Sequence, residues 1–136
     1  MQKFVLFLIL CLSAGYNASA QKTPPAAVVT AFTQKFGAVT ELEWEKEKDG
    51  AWEAEFEQKG QEMSANFSAD GKWLETETEI PFTDLPAPVQ AALKGKKVKE
   101  TAKILKADGT TVYEAEVKRK DLIFDANGKL LSDDKG

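Results

Sequence analysis

Histidine is absent from the 136 residues, and the only cysteine, Cys11, lies in the apolar N-terminal run. The chain therefore lacks the imidazole base and, outside that run, the thiolate nucleophile of neutral-pH catalysis, which excludes cysteine-protease chemistry and zinc centres of the Cys/His type. One cysteine also makes no internal disulfide, so stability must come from a packed core. Long apolar runs are scarce as well. The one candidate, Phe4 to Leu12, is shorter than the roughly 20 residues needed to span a bilayer. It follows Lys3 and precedes Ala18-Ser19-Ala20, the pattern of a secretory signal peptide over residues 1–20 with cleavage before Gln21. Lipidation at Cys11 is disfavoured because Leu10 is too bulky before a lipidated cysteine. The mature chain is expected to be exported, periplasmic or extracellular, with no transmembrane segment.

A basic excess is missing too. Lys and Arg number 18 against 22 Asp and Glu, a formal net charge of −4. Residues 21–80 carry 6 lysines and 13 acids, whereas residues 81–136 carry 11 basic and 9 acidic residues. The lysines from Lys94 to Lys106 are the only basic cluster, too small for a nucleic-acid face. The split suits docking on a charged partner or head-to-tail self-association.

What the chain does contain is a duplication. Trp52-Glu53-Ala54-Glu55-Phe56 returns as Tyr113-Glu114-Ala115-Glu116-Val117, and Pro25, Val28 and Phe32 answer to Pro86, Val89 and Leu93 at the same offset. Phe67-Ser68-Ala69-Asp70-Gly71-Lys72 echoes Phe124-Asp125-Ala126-Asn127-Gly128-Lys129 at a slightly shorter one. Each copy, residues 21–80 and residues 81–136, reads as a helix followed by two hairpins. Two copies are too few for a solenoid, so one joined sheet is expected.

Within the first copy, Thr23-Pro24-Pro25 opens a helix with Val28, Val29, Phe32 and Phe36 on one stripe and Gly37 as its stop. The strands that follow alternate apolar residues with glutamates. A three-residue loop with left-handed Gly50 places Trp44 opposite Ala54, sending Trp44, Trp52 and Phe56 inward and Glu43, Glu45, Glu53, Glu55 and Glu57 outward. Leu42 is expected inside with Trp44. Trp73 falls in phase with Glu75, Glu77 and Glu79, which predicts a tryptophan on the acidic face, either as an edge-strand cover or as a binding anchor.

In the second copy, Val89, Ala92 and Leu93 give a short helical stripe, capped by Thr83 or Asp84. Asp108-Gly109 reads as a two-residue turn that sets Ile104 opposite Tyr113 and Ala102 opposite Ala115. Lys103 then faces Glu114, making this half of the outer face charge-balanced. Asp125-Ala126-Asn127-Gly128 lacks the ligand spacing of a calcium loop and reads as a turn.

Leu85-Pro86 before a short helix, the aromatic-led strand Tyr113 to Val117, and Phe124 to Lys129 closing the unit, all preceded by a weaker copy, resemble small exported PepSY-like proteins related to the beta-lactamase-inhibitor fold. That resemblance implies an α+β fold: two tandem helix-plus-strand repeats forming one curved antiparallel sheet, with helices packed on one face and the other face free. In related inhibitors the free face grips a protein, and PepSY domains elsewhere accompany peptidases. The equivalent surface here holds Glu43, Glu45, Glu53, Glu55, Lys103, Glu114 and Glu116, with Trp73 beside them.

The function read from these residues is a non-enzymatic exported binding module that engages another envelope protein or a cationic ligand through the sheet face. It has no catalytic, cofactor or metal residues. The alternatives are a calcium-binding envelope protein and a carboxylate-based hydrolase such as a glycosidase. Nothing in the sequence points to burial that would raise a carboxyl pKa.

Overall fold

A computed structural model of the chain describes residues 23–135, so the signal-peptide reading lies outside the described residues. The element order is α1 (Ala26–Phe36), β1 (Thr40–Lys46), β2 (Trp52–Gln58), β3 (Gln61–Phe67), β4 (Trp73–Glu79), a 3-10 turn (Phe82–Asp84), α2 (Ala87–Ala92), β5 (Val98–Lys106), β6 (Thr111–Val117), β7 (Lys120–Phe124) and β8 (Leu130–Lys135). The strands form one antiparallel sheet in sequence order, β1 to β8. The α+β class and the single open sheet agree with expectation.

Both helices lie on the same face. Val28 and Phe32 of α1 pack with Trp52, Ala54, Phe56, Ala65 and Phe67. Val89 of α2, with Leu85 and Leu93 flanking it, packs with Ala115, Val117, Leu122 and Phe124. Cross-strand pairing continues that face from Ala65 through Thr76, Leu105 and Thr111. Phe32 is the hub of the first core: its ring centroid lies 5.0 to 6.2 Å from those of Phe36, Trp44, Phe56 and Phe67. Val29 and Ala92, expected on the buried stripes, are exposed. The start of α2 is also set differently from expectation. No side-chain oxygen caps it; instead Gln90 Nε2 donates to the Leu85 carbonyl at 2.8 Å.

Hairpin geometry decides which residues share a face. Trp44 pairs with Ala54, and Gly50 has φ +89°, as expected for a three-residue loop. The Asp108-Gly109 turn departs from the two-residue reading. Lys106 N donates to Thr110 O and Gly109 N to Lys106 O, enclosing Ala107, Asp108 and Gly109 in the same three-residue loop. Asp108 Oδ1 accepts from Thr110 N at 2.8 Å, which fixes the Asx turn and leaves only Gly109 left-handed. The pairing shifts by one: Ile104 faces Val112, Ala102 faces Glu114, and Lys103 faces Tyr113. A one-residue slip turns every side chain of a strand to the other face. Lys103 therefore lies on the helix-bearing face, and it does not balance Glu114.

Trp73 is corrected by a bulge. Asn66 pairs with Glu75 and Phe67 with Trp73, so Leu74 is the extra residue and Trp73 changes face. It packs against the first core, its ring covered by Lys35 Nζ at 3.6 Å from the centroid, and Nε1 donates to Thr76 Oγ1 at 2.9 Å. A second irregularity, between Thr40 and Glu43 with Glu41 at φ 56°, leaves Leu42 exposed instead of inside.

The β3–β4 and β7–β8 turns tie each half of the sheet to its helix. Ser68 Oγ accepts from Lys72 N at 3.1 Å, and Asp125 Oδ1 accepts from Lys129 N at 3.0 Å, so serine and aspartate do the same work at matching positions. A Cβ at Gly71 would stand 2.7 Å from the Ala27 carbonyl oxygen, and one at Gly128 would collide with the Pro88 carbonyl, whose carbon would be 2.8 Å away. Gly109 has the same left-handed φ with open space around it. Gly128→Ala should therefore cost about 3 kcal/mol, from φ strain plus backbone overpacking, against about 1 kcal/mol for Gly109→Ala. Urea denaturation of the two variants checks the difference, and equal losses would contradict the helix–turn contact.

The tight turn between β6 and β7 carries φ 54° at Lys118 and 63° at Arg119, where the β2–β3 turn has Lys59 and Gly60. Arg119→Gly should stabilise the chain by about 0.5–1 kcal/mol, since glycine reaches that φ without strain. Thermal and urea unfolding would register the gain.

Candidate functional site

The helices leave the opposite face of the sheet bare, and the same register determines what it presents. Glu43 pairs with Glu55 and Glu45 with Glu53 across β1 and β2. Glu53 then meets Asn66 and Glu55 meets Ser64 on β3, which in turn face Glu75 and Glu77 on β4. On β5, Lys106, Ile104 and Ala102 stand opposite Glu75, Glu77 and Glu79. Beyond them come Val112 and Glu114 on β6, then Ile123 and Asp121 on β7, with Glu116 opposite Asp121. Most of these residues line a concave groove of about 640 Å³, while Glu43, Glu45 and Glu116 share the face but lie outside the lining. Its floor over β5 to β7 is apolar, formed by Ala102, Ile104, Val112 and Ile123, with carboxylates on either side.

Of the residues expected on this face, Glu43, Glu45, Glu53, Glu55, Glu114 and Glu116 are there, while Trp73 and Lys103 are on the other side of the sheet. Lys99 bonds Glu116 at 3.5 Å, an exposed pair of small energetic weight. The half of the groove nearest β6 is therefore apolar and acidic, where the sequence pointed to charge balance. Glu77 at its centre and the apolar floor were missed as site residues. Their signal was present: Asp108-Gly109 repeats the Asp49-Gly50 and Asp70-Gly71 pattern, and the same three-residue loop places Ile104 and Val112 outward.

Burial gives these acids unusual proton affinity. Burial pushes Glu114 up to about 9, helped by Glu77, Asp121, Glu75 and Glu116. Burial raises Glu53 to about 8, with Glu47, Glu55 and Glu77 adding to it and an Asn66 hydrogen bond opposing. Glu77 rises to about 7, again mainly from burial and then from Glu75, Asp121, Glu100 and Glu55. Glu55 and Glu47 move the same way for the same first cause, desolvation of the charged form. The expectation that no carboxyl would be shifted by burial is thus overturned. Glu114 is only 8% exposed, and its Oε1 has no hydrogen-bond partner among the described residues. Among those residues no three acidic side chains converge as ligands for one metal ion.

Comparison with known proteins places this arrangement. The chain belongs to the PepSY-like family, described as beta-lactamase-inhibitor-like, which matches residues 48–132. Among solved structures, a BLIP-like protein from Bacteroides fragilis is similar at 25% identity and TM-score 0.68, covering 82% of this chain and 85% of that one. A DUF2874 family protein from Bacteroides ovatus is similar at 20% identity and TM-score 0.72, with coverage of 82% and 86%. A candidate periplasmic protein from Bacteroides eggerthii is similar at 16% identity and TM-score 0.74, with coverage of 82% and 88%. No curated protein matches the chain.

The raised acids fix a pH dependence. Glu53, Glu77 and Glu114 keep their protons in the folded chain at pH values where the unfolded chain, near 4.5, has lost them. Their contribution to stability is thus complete below about pH 4.5 and is lost as pH rises through the native values of about 7 to 9. Thermal melts should show a higher Tm at pH 5 than at pH 8.5, and Glu114→Gln should shrink that difference. A Tm that rises over this interval would refute the protonated groove.

Proposed function

We propose that the protein is a non-enzymatic exported binding module that engages or restrains another envelope protein through the concave face of its sheet. The observation that carries this reading is the face itself: an eight-stranded sheet covered by helices on one side only, with a groove on the other that has an apolar floor and acidic walls. An apolar centre within a polar rim is the anatomy of a protein-binding surface. Family membership supports the reading, and so does the likeness to a protein called BLIP-like. Export agrees with the leader-like residues 1–20 and with the candidate periplasmic relative. Among the described residues no helix is long and apolar enough to cross a membrane.

The alternatives fit the geometry less well. A calcium site needs six to eight oxygens around one point, and these carboxylates fan out over successive strands without a converging set. A glycosidase needs one proton-holding acid paired with an ionised carboxylate at a set separation. Here the strongly shifted groove acids all move upward, and the two lowered aspartates, Asp70 beside the Ser68 hydroxyl and Asp108 beside the Thr110 hydroxyl, belong to hairpin turns.

Affinity capture from an envelope extract tests the reading. Ile123→Glu, which places a charge on the apolar floor, and a fourfold Glu43, Glu45, Glu53, Glu55→Gln variant should each reduce capture at least tenfold. Val29→Glu on the exposed side of α1 should leave it unchanged. A partner held equally by all three would remove the concave face from consideration.

A further inference from the structure

At the β6 side of the groove one side chain is chemically incomplete. Glu114 stands between Ala102 of β5 and Ile123 of β7, more than nine-tenths buried, with Oε1 unpartnered among the described residues. The basic side chains nearby are otherwise placed: Lys99 pairs with Glu116, and Lys106 faces Glu75. Ala102 extends no further than Cβ, so the space between Glu114 and the β4 acids Glu77 and Glu79 is left open above β5. Ile104, Val112 and Ile123 give that space aliphatic walls.

We propose that this end of the groove is a receptor for an arginine side chain on a basic segment of the partner protein, its stem lying on Ile104, Val112 and Ile123 and its guanidinium taken by Glu114 together with Glu77. The proposal rests on the concave face being the binding surface and adds the chemistry of what enters it. Long basic side chains bury their methylenes against apolar surface while presenting charge at the tip, which matches a site apolar along its wall and acidic at its end. Glu77 and Glu114 lie on strands either side of β5 and two residues out of line, since Glu79 is the acid opposite Ala102 and Glu114, which sets them about 12 Å apart at the backbone by strand spacing and rise. A planar guanidinium with five donors can be shared by two such carboxylates, whereas an ammonium is a compact, strongly hydrated charge. A buried carboxylate without a counter-ion is costly, and an entering cation removes that cost for both partners.

Binding is then linked to protons. The acids around Glu114 are Glu75, Glu77, Glu116 and Asp121, with Glu79 opposite it across Ala102 and Glu100 of β5 interacting with Glu116 and Asp121, and the lysines on this face include Lys106 opposite Glu75 and Lys99 paired with Glu116. A guanidinium favours the ionised carboxylates and expels the protons that burial retains. Affinity for the segment should therefore strengthen from pH 6 to pH 9.

Calorimetry with hexa-arginine and hexa-lysine peptides, and with calcium chloride alone, tests this at 150 mM salt. Hexa-arginine should bind at least fivefold tighter than hexa-lysine, more tightly at pH 8.5 than at pH 6.5, and with proton release seen as a dependence on buffer ionisation heat. Glu114→Gln should weaken hexa-arginine at least tenfold, while Asp84→Asn in the exposed 3-10 turn, outside the groove, should change it less than twofold. Glu114→Gln should also raise the Tm at pH 8.5, which shows that the variant folds. Equal weakening by the two variants, no heat with hexa-arginine, or calcium binding that Glu114→Gln abolishes in place of peptide binding would overturn the proposal. So would sedimentation showing that the groove is filled by the Lys94–Lys99 segment of a second copy. If Ile123→Glu abolishes capture of the extract partner and Glu114→Gln does not alter it, the arginine receptor falls and the concave-face reading stands. If neither variant alters capture, both fall.

Discussion

The hairpin loops decide almost everything else in this molecule. Four of them, ending in Gly50, Gly71, Gly109 and Gly128, close with the same backbone hydrogen bonds around three residues. Because side chains alternate along a strand, the loop length determines which half of each strand meets the helices. At Gly109 the choice of three residues over two sends Ala102 and Ile104 into the groove beside Val112 and Lys103 away from it. Two of these glycines also lie under the helix starts, where Gly71 meets Ala27 and Gly128 meets Pro88. The turns thus fix register within the sheet and the height of each helix above it.

That arrangement builds two cores of different character on one face. The first is aromatic, with Phe32 at the centre of edge-to-face contacts, and Lys35 covering Trp73 closes its margin. Such contacts prefer defined ring angles, so this half is held by shape as well as by area. The second is mostly aliphatic, built from Leu85, Val89, Leu93, Val117 and Leu122 around Ala115, with the Phe124 ring buried among them. Between the two, on the same face, stand Thr76, Thr78, Lys103 and Leu105, with Lys103 and Leu105 exposed. The helices are short and do not extend over this strip, so the continuity of the molecule lies in the β4–β5 pairing.

Much of this was legible in the chain. The pentapeptides that begin at Trp52 and Tyr113 lie on β2 and β6 with Ala54 and Ala115 towards the helices, and the Trp44–Ala54 pairing followed from requiring three aromatics on one side. Two features were not legible, for definable reasons. The bulge at Leu74 is a property of how β4 meets β3, and nothing local distinguishes Trp73-Leu74-Glu75 from a regular alternation. The proton affinity of Glu53, Glu77 and Glu114 depends on how many carboxyls the sheet's curvature gathers, a sum over strands far apart in sequence. The Asp108-Gly109 register was recoverable, since three companion loops share its form, but a dipeptide that favours tight turns in isolation pointed the other way.

The groove's acidity has a physical limit that shapes how it can be used. Like charges opposite one another on adjacent strands are unfavourable, and here Glu43 faces Glu55, Glu45 faces Glu53, and Glu57 faces Glu62. Burial resolves part of this repulsion by keeping the deepest acids protonated, so the face carries less negative charge than its residue count implies. The exposed rim, with Glu43 and Glu45 on the edge strand, remains available to steer a cationic approach over several ångströms. On the proposed reading, the deeper carboxyls would respond only when a ligand displaces water and supplies charge. Rim and floor would then do different work, the rim setting how often a partner arrives and the floor how long it stays.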